Sequence, residues 1–252
     1  MQGTVVPAGE RRLDPEGTGM REIKKLVSFD MKDVLEVGCG DGRMTFQYAR
    51  LAKKVTAIDP SRKAVLSARK STPKDLTARV SFRVGGGESL GLPAERFDVV
   101  FLSWSLCCTD IPWQSRTLME AWRVLRPNGL LLNVMESLHQ PFYSGMITYL
   151  LGRGSGQPDW SEPEREARLA LRHATVIERK FDFVAEKEVA IYSYYDDVGE
   201  ALDGVIAENK LKKTEVATRT TNDVRDILES LKTNKGFRFQ TNSVITVLRK
   251  VD

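Results

Sequence analysis

The stretch Val34-Leu-Glu-Val-Gly-Cys-Gly-Asp-Gly-Arg43 decides the fold, because a short apolar run passes directly into a glycine-rich loop. The run Val34–Val37 predicts a buried strand, and residues 43–52 predict a helix after the loop. Glycines at such a junction allow positive φ and let a ligand approach the main chain. The following helix N-terminus would offer free N–H groups to an anionic group. We therefore expect a ligand-binding strand–loop–helix unit, the alternative being a glycine-rich turn that binds nothing.

The glycine spacing argues against two common nucleotides. A dinucleotide fingerprint, G-x-G-x-x-G, would need glycine where Arg43 stands, and a phosphate-binding P-loop would need G-K-[ST]. The order from Glu36 to Gly42 is instead E-x-G-x-G-x-G. The loop therefore favours neither a nicotinamide dinucleotide nor ATP.

Working outward, strand-like and helix-like patterns alternate along the chain as far as Met135. The predicted strands are Val34–Val37, Val55–Ile58, Arg79–Val84, Phe97–Leu102 and Leu130–Met135, and the predicted helices are Met20–Phe29, Arg43–Ala52, Ser61–Lys70 and Pro112–Leu125. This alternation predicts an α/β, Rossmann-like, doubly wound parallel sheet with helices on both faces. A ligand is expected beyond the carboxyl ends of its strands. A tight turn is expected at residues 126–129.

After Met135 the rhythm changes. Predicted strands at Val189–Tyr194 and Ser243–Leu248 would complete a seven-stranded, mostly parallel sheet. Between its fifth and sixth strands, residues 137–185 are expected to form a helical insertion that acts as a lid over the acceptor. That insertion contains a glycine-rich connector and a helix that Ser161 and Glu164 would cap. We expect residues 1–19 to form a flexible arm and residues 20–252 a single domain.

Composition sets only broad bounds. The 252 residues carry a formal charge of +4 and three cysteines, and no run of about 18 apolar residues suggests a membrane span. No signal peptide is apparent, so a cytoplasmic location is expected. The adjacent Cys107 and Cys108 lack C-x-x-C spacing, so no metal site is expected and buried small side chains are favoured. Mixed charges do not favour nucleic acid as a partner, and the sequence does not indicate an oligomeric state.

Four segments together resemble motifs of the class I S-adenosylmethionine-dependent methyltransferases. VLEVGCGDGRMT resembles the first motif, VTAIDPS the second, FDVVFLSWSL the fourth, and LRPNGLLLNV the segment entering the fifth strand. The resemblance covers about residues 20–135 and is closest to the small-molecule group that includes ubiquinone and menaquinone methyltransferases. It implies S-adenosyl-L-methionine as cofactor and S-adenosyl-L-homocysteine as product.

Carried over position by position, the resemblance implies a cofactor site. The residues expected around the methionine part and at the end of the fourth strand are Glu36, Gly38, Cys39, Gly40, Gly42, Ser103 and Trp104. Glu36 would orient the loop and the methionine amino group, or it would only cap loop amides. Asp59, followed by Pro60, would accept hydrogen bonds from both ribose hydroxyls. The alternative for Asp59 is an N-cap of the helix beginning near Pro60.

One departure from the family affects the adenine. The family often has a Gly-Asp-Ala-Glu run after the third strand, in which the Asp holds the adenine amino group. Here the run is Gly85-Gly86-Gly87-Glu88, so Gly86 stands in place of that Asp. Glu88 and the Gly87 N–H remain. Glu88 could hold the amino group, a water could do so, or the pocket could differ.

The acceptor is expected just past the fourth and fifth strands. The residues expected to contact it are Ser105, Cys107, Phe142 and Tyr143. Methyl transfer needs a base only when the acceptor must lose a proton. His139 is the first candidate, with an exposed loop histidine as the alternative, and Glu136 is the second; His173 is expected at the surface.

The sequence thus predicts an enzyme, an S-adenosylmethionine-dependent methyltransferase acting on a small molecule by in-line displacement. Positioning and desolvation of the two reactants would be the protein's main contribution. Two alternatives stay open. One is a methyltransferase for a protein or RNA acceptor, and the other is a non-catalytic cofactor-binding subunit that stabilises a partner.

Overall fold

A mixed sheet with helices packed on it organises the chain, as seen in a computed structural model that describes residues 12–139, 141, 147, 150, 162–208 and 218–251. In these residues the strands are β1 (Arg12–Leu13), β2 (Asp33–Val37), β3 (Lys54–Asp59), β4 (Val80–Val84), β5 (Phe97–Ser103), β6 (Leu125–Glu136), β7 (Phe181–Tyr195), β8 (Lys232–Thr233) and β9 (Gly236–Lys250). The α-helices with described bounds are α1 (Thr18–Leu26), α2 (Thr45–Tyr48), α3 (Arg62–Ser71), α4 (Ile111–Val124), α5 (Glu162–Arg172), α6 (Val198–Glu208) and α7 (Thr218–Ser230). A 3₁₀ turn covers Lys74–Leu76 and a π-helical turn covers His173–Ile177.

The seven longer strands lie in the order β7-β9-β6-β5-β2-β3-β4. The pairs β2–β3, β2–β5, β3–β4 and β5–β6 are parallel, whereas β6–β9 is antiparallel. Strand order reverses between β2 and β5, which is the switch point where open α/β sheets bind ligands. The predicted seven-stranded, mostly parallel Rossmann-like sheet is confirmed, and the two-residue strands β1 and β8 are added to it.

Two local predictions were wrong. The helix expected over residues 43–52 is only the four residues of α2, and no side chain caps its N-terminus at Met44. The helix after the glycine loop is therefore too short for its N-terminus to attract the anionic group that is predicted from the sequence. Residues 126–129 do not separate a helix from a strand but form an irregularity inside β6. The register there jumps from Leu125 opposite Phe97 to Leu130 opposite Val99, and Asn128 has φ +62°.

The chain forms two compact units, and the larger comprises the described parts of 20–136, 160–189 and 243–252. In its main core, the inner residues of β5 and β6 pack against α4 and α5 through residues at helical spacing. Those helical residues are Leu118, Ala121, Val124, Ala167 and Leu171. Strand β5 is buried on nearly every residue, as expected for a parallel strand covered on both faces. This packing holds the carboxyl ends of β2, β3, β5 and β6 at one edge.

The smaller unit comprises the described parts of 1–19, 137–159 and 190–242. Its core is formed by side chains of α6, α7, the end of β7 and the start of β9, with Ile147 buried among them. Helix α7 and strand β1 were not expected from the sequence. Strand β1 pairs antiparallel with β7, placing Arg12 opposite Tyr194.

The predicted insertion contains residues with different packing. Helix α5 is part of the larger unit's core, because Ala167 and Leu171 are buried there. Ile147 and Leu150 instead pack in the core of the smaller unit. The glycine-rich connector and the Ser161 cap lie outside the described residues. The division into arm, single domain and acceptor lid stays a prediction, but α5 is a core helix rather than a cover.

Candidate functional site

The glycine loop is held against the end of β3 by its main chain. The N–H groups of Gly38 and Cys39 both donate to the carbonyl of Ile58, at 2.9 and 3.0 Å. Gly38 has φ +80°, and a Cβ there would overlap the side chain of Ser105. Gly40 has φ +55°, but a Cβ there would meet no atom within 4 Å. The loop is therefore closed on the Gly38 side and open at Gly40, where a ligand can approach the main chain.

Glu36 is a fully buried carboxylate at the end of β2, directly before this loop. Its Oε2 accepts hydrogen bonds from the hydroxyls of Thr45, at 2.6 Å, and Tyr48, at 2.8 Å. Phe29 stacks on the Tyr48 ring at 4.4 Å and fixes it. The other carboxylate oxygen of Glu36, Oε1, is buried without a partner. Burial raises the pKa of Glu36 to about 7, against the lowering effect of the two hydroxyls. The interpretation of Glu36 as a cap of loop amides is not what its contacts show, since both bonds come from hydroxyls.

Asp59 joins the glycine loop to the next helix. Its Oδ2 accepts from the Gly40 N–H and its Oδ1 from the Ser61 N–H, both at 2.8 Å. The N-cap of α3 is Ser61, whose hydroxyl accepts from the Ala64 N–H at 3.3 Å. The alternative of Asp59 as the N-cap was therefore wrong, and Pro60 is an exposed residue outside the helix. Each carboxylate oxygen has a second lone pair, so Asp59 can still accept two ribose hydroxyls.

After β4, where the family resemblance implies the adenine, Glu88 folds back over Gly86. The three atoms nearest to a Cβ built on Gly86 all belong to the Glu88 carboxyl group. The Glu88 carboxylate thus occupies the space that a side chain at residue 86 would fill. Gly87 is packed closely, because a Cβ there would lie 2.7 Å from Thr117 Cγ2. The Thr117 hydroxyl beside it is buried without a partner.

The end of β5 brings the predicted residues Ser103, Trp104, Ser105 and Cys107 to the same edge. Trp104 has φ +49°, which is unusual for a bulky residue and is held by its N–H donating to the Val134 carbonyl at 2.9 Å. Such conformations concentrate at functional sites. Ser105 Oγ is buried without a partner beside Gly38. Cys107 packs in the main core of the larger unit as a small buried side chain, whereas Cys108 is exposed, so the prediction of two buried cysteines was wrong for Cys108.

The candidate bases lie in different units. Glu136 ends β6 with an exposed side chain in the larger unit. His139 belongs to the smaller unit and is exposed. Its N–H donates to Ser137 Oγ, and its carbonyl accepts from Asn242 Nδ2. His173 is half exposed, with Nδ1 3.4 Å from Glu178 Oε1. Phe142 and Tyr143 lie outside the described residues.

Three buried polar atoms without hydrogen-bond partners lie around the glycine loop. Glu36 Oε1, Ser105 Oγ and Thr117 Oγ1 are buried without partners, and all three lie beside the glycine loop or Gly87. Such atoms are rare in folded proteins because each costs free energy until a ligand or water meets it. The open face at Gly40 and the carboxylate of Asp59 complete a cradle with acceptors for an amino group and two hydroxyls. These residues fit S-adenosyl-L-methionine.

Sequence reasoning missed three of these residues, namely Thr45, Tyr48 and Thr117. Thr45 and Tyr48 follow Glu36 by nine and twelve residues, and only the turn through the loop brings their hydroxyls to it. No motif signals Thr117. In the described part of the chain no group of three or more His, Cys, Asp or Glu could hold a metal ion. Nor does any helix in that part have the length and apolarity to cross a membrane.

Comparison with known proteins agrees with this geometry. Residues 35–133 match the profile of a family described as "Methyltransferase domain". Demethylmenaquinone methyltransferase of Tropheryma whipplei is 32% identical over 127 residues, covering 48% of this chain and 51% of that protein. The mitochondrial ubiquinone biosynthesis O-methyltransferase of Schizosaccharomyces pombe is 31% identical over 125 residues, covering 49% and 44%. The chain thus spans about half the length of these relatives.

Solved structures have a similar fold. A putative methyltransferase from Bacillus halodurans superposes with a TM-score of 0.60 at 17% identity, covering 92% of this chain and 98% of that one. At that identity the likeness concerns the fold alone. The matched residues include the glycine loop and most of strands β2 to β6. Over residues 35–133 the chain is similar to the methyltransferase domain family, and the relatives that it matches over about half of its length are named methyltransferases.

Proposed function

We propose that this protein transfers a methyl group from S-adenosyl-L-methionine to a small-molecule acceptor. The observation that carries the proposal is the cradle at the switch point: a buried carboxylate with one free oxygen, an open glycine and a loop-anchored aspartate. Glu36 Oε1 would accept the methionine amino group, and Asp59 would accept the ribose hydroxyls. When bound, the cofactor supplies an electrophilic methyl group, which the acceptor's lone pair takes as the C–S bonding pair returns to sulfur.

The chain's own residues position and shield the reactants. Trp104 has a left-handed conformation, and the Ser105 side chain approaches Gly38 too closely for any Cβ there. These two features hold the end of β5 against the glycine loop. Correct placement of two reactants can account for much of a rate enhancement. A proton on the acceptor would pass to a base or to water, and Glu136 is the candidate in the larger unit. His139, the first candidate base from the sequence, is exposed, and so is the side chain of Glu136, so exposure does not separate the two.

A small acceptor is supported by what the relatives are called, since two of them are named for quinone biosynthesis. An acceptor of protein or RNA is the first alternative. A non-catalytic cofactor-binding subunit is the second, and the unmet polar atoms beside the loop argue only that a ligand binds. Turnover therefore has to be measured directly.

Calorimetric titration with S-adenosyl-L-methionine and S-adenosyl-L-homocysteine tests the cofactor part. We expect both to bind the folded chain with one site per molecule. Absence of binding to either, with folding verified by circular dichroism, would contradict the proposal. A screen of phenols, quinols, amines and carboxylates for formation of S-adenosyl-L-homocysteine then tests the acceptor class. Methylation of RNA or protein instead would identify the first alternative.

A further inference from the structure

Arg168 brings a positive charge to the carboxyl end of β6. It lies on α5, and its Nη2 donates to the main-chain carbonyl of Glu136 at 2.7 Å. Glu136 is the last residue of β6, so the guanidinium stands at the sheet edge where ligands of this fold bind. Arg168 and Glu136 both belong to the larger unit.

The hydrogen-bond capacity of this guanidinium is largely unmet. Arginine has five N–H donors in a rigid fork, and the one described bond goes to an uncharged carbonyl. Its Nε is sealed from solvent and has no partner. From residue 165 onward on α5, and elsewhere in the part of the chain whose side chains the structure describes, no carboxylate lies within ion-pair distance of Arg168. A partly buried cation without a counter-charge is costly until an anion meets it.

A second polar group without a hydrogen-bond partner lies on the face of β6 that packs against α5. Leu131 and Met135 pack in the core that contains Ala167 of α5, and alternation along the strand places Asn133 on that face between them. Asn133 is fully buried, and both its amide nitrogen and oxygen lack partners. Ser243 also has an unpartnered hydroxyl. It pairs with Glu136 and therefore faces the opposite side of the sheet.

We propose that Arg168 recognises the methyl acceptor by binding an oxyanion of the carboxylate class on it through the free edge of its guanidinium. This inference rests on the proposed function, because it assigns the second ligand of the same site. The end of the guanidinium formed by Nη1 and Nη2 can pair with a carboxylate through two parallel hydrogen bonds, because Nη2 carries two N–H donors and uses one on Glu136, whereas a neutral acceptor would leave the charge unbalanced. Arg168 would thus select and orient acidic acceptors without taking part in the transfer itself.

The test uses a matched pair of probes on the full chain saturated with S-adenosyl-L-homocysteine. The probes are 2-naphthoate and its neutral isostere 2-naphthamide, titrated by calorimetry or ligand-observed NMR. We expect the wild type to prefer naphthoate and Arg168→Gln to bind it about ten-fold or more weakly, with naphthamide unchanged. Arg168→Lys, which keeps the charge but lacks the planar guanidinium, should fall between them. Arg172→Gln is the control, since Arg172 is exposed one turn further along α5.

Each outcome decides the point. Equal naphthoate binding by wild type and Arg168→Gln, or no preference for naphthoate over naphthamide in the wild type, overturns the inference. If Arg172→Gln loses naphthoate binding equally, the effect is one of general surface charge, and the inference is also overturned. Affinity for S-adenosyl-L-homocysteine is measured on every sample. If that affinity is absent from the wild type the proposed function fails, whereas if it is normal in all variants only the role of Arg168 is at stake. Should Arg168→Gln unfold, the Arg168→Lys comparison carries the test.

Discussion

Two ends of one sheet edge, both in the larger unit, are built by different means. At the β2–β3 end the loop geometry is set by the main chain, with Gly38 and Cys39 bonded to Ile58 and Gly40 anchored by Asp59. At the β6–α5 end the available groups are side chains, above all the guanidinium of Arg168. A main-chain site depends on backbone conformation that few residues can adopt. A side-chain site can change its ligand by one substitution, so the family resemblance reaches the first end and not the second.

The largest expected effect is that of Asp59→Ala, which tests the β2–β3 end of the comparison. The change removes both the loop anchor and the expected ribose acceptor, so we expect cofactor affinity to fall about a hundred-fold, the sum of two charge-assisted bonds at roughly 1.5 kcal/mol each. Calorimetric titration with S-adenosyl-L-homocysteine measures it. Asp75→Ala, which removes an exposed carboxylate paired with Arg50, is the control and should bind normally. An unchanged dissociation constant would mean that Asp59 anchors the loop but does not contact the cofactor.

A second prediction separates ligand contact from backbone strain. Gly40→Ala and Gly91→Ala each put a side chain on a left-handed residue, with φ +55° and +58°, and neither Cβ meets protein atoms within 4 Å. Both should lose about 1–2 kcal/mol of unfolding free energy. Only Gly40→Ala should also weaken S-adenosyl-L-homocysteine, by about ten-fold or more, because its methyl group points to the ligand. Equal cofactor affinity in the two variants would place the ligand elsewhere.

The buried carboxylate gives a pH-dependent prediction. Since the pKa of Glu36 is raised from 4.5 to about 7, the unfolded chain ionises first as pH rises. The cofactor-free wild type should therefore lose stability between those values relative to Glu36→Gln, by roughly 3 kcal/mol in total, and show no further loss above pH 7. Denaturant unfolding at pH 5, 6, 7 and 8 measures the difference. A constant difference across this range would mean that Glu36 titrates normally.

A smaller effect is expected at the adenine end, where a double-mutant cycle is informative. Because Glu88 fills the space beside Gly86, Gly86→Asp alone would bring two carboxylates together and should weaken cofactor binding or leave it unchanged. Glu88→Ala should cost about three- to ten-fold if its carboxylate meets the adenine amino group, a loss of up to about 1.4 kcal/mol. The double variant should then recover most of the affinity. Additive losses would exclude an exchange of roles between the two positions.

Much of the β2–β3 end could be predicted, because its determinants are adjacent in sequence. The strand Val34–Val37 and the order of glycines after it correspond to β2 and its loop, and Asp59 ends β3 as expected. The length of α2 was not predictable, because the apolar spacing of residues 43–52 does not show that helical hydrogen bonding stops at Tyr48. Helix α7 was missed for another reason: Val224, Ile227 and Leu228 have helical spacing, but the rest of its sequence is polar and carries few apolar residues to mark it.

The sequence by itself determined the order of the longer strands and the glycine loop, and it favoured one class of cofactor, because each depends on residues within a few positions of one another. Tertiary structure alone decided which side chains complete the site. Thr45 and Tyr48 reach Glu36, Glu88 replaces a side chain at residue 86, and Arg168 meets the Glu136 carbonyl 32 residues away. These contacts form only when the sheet is assembled, since closing each loop costs entropy that local residues cannot offset and that core packing repays.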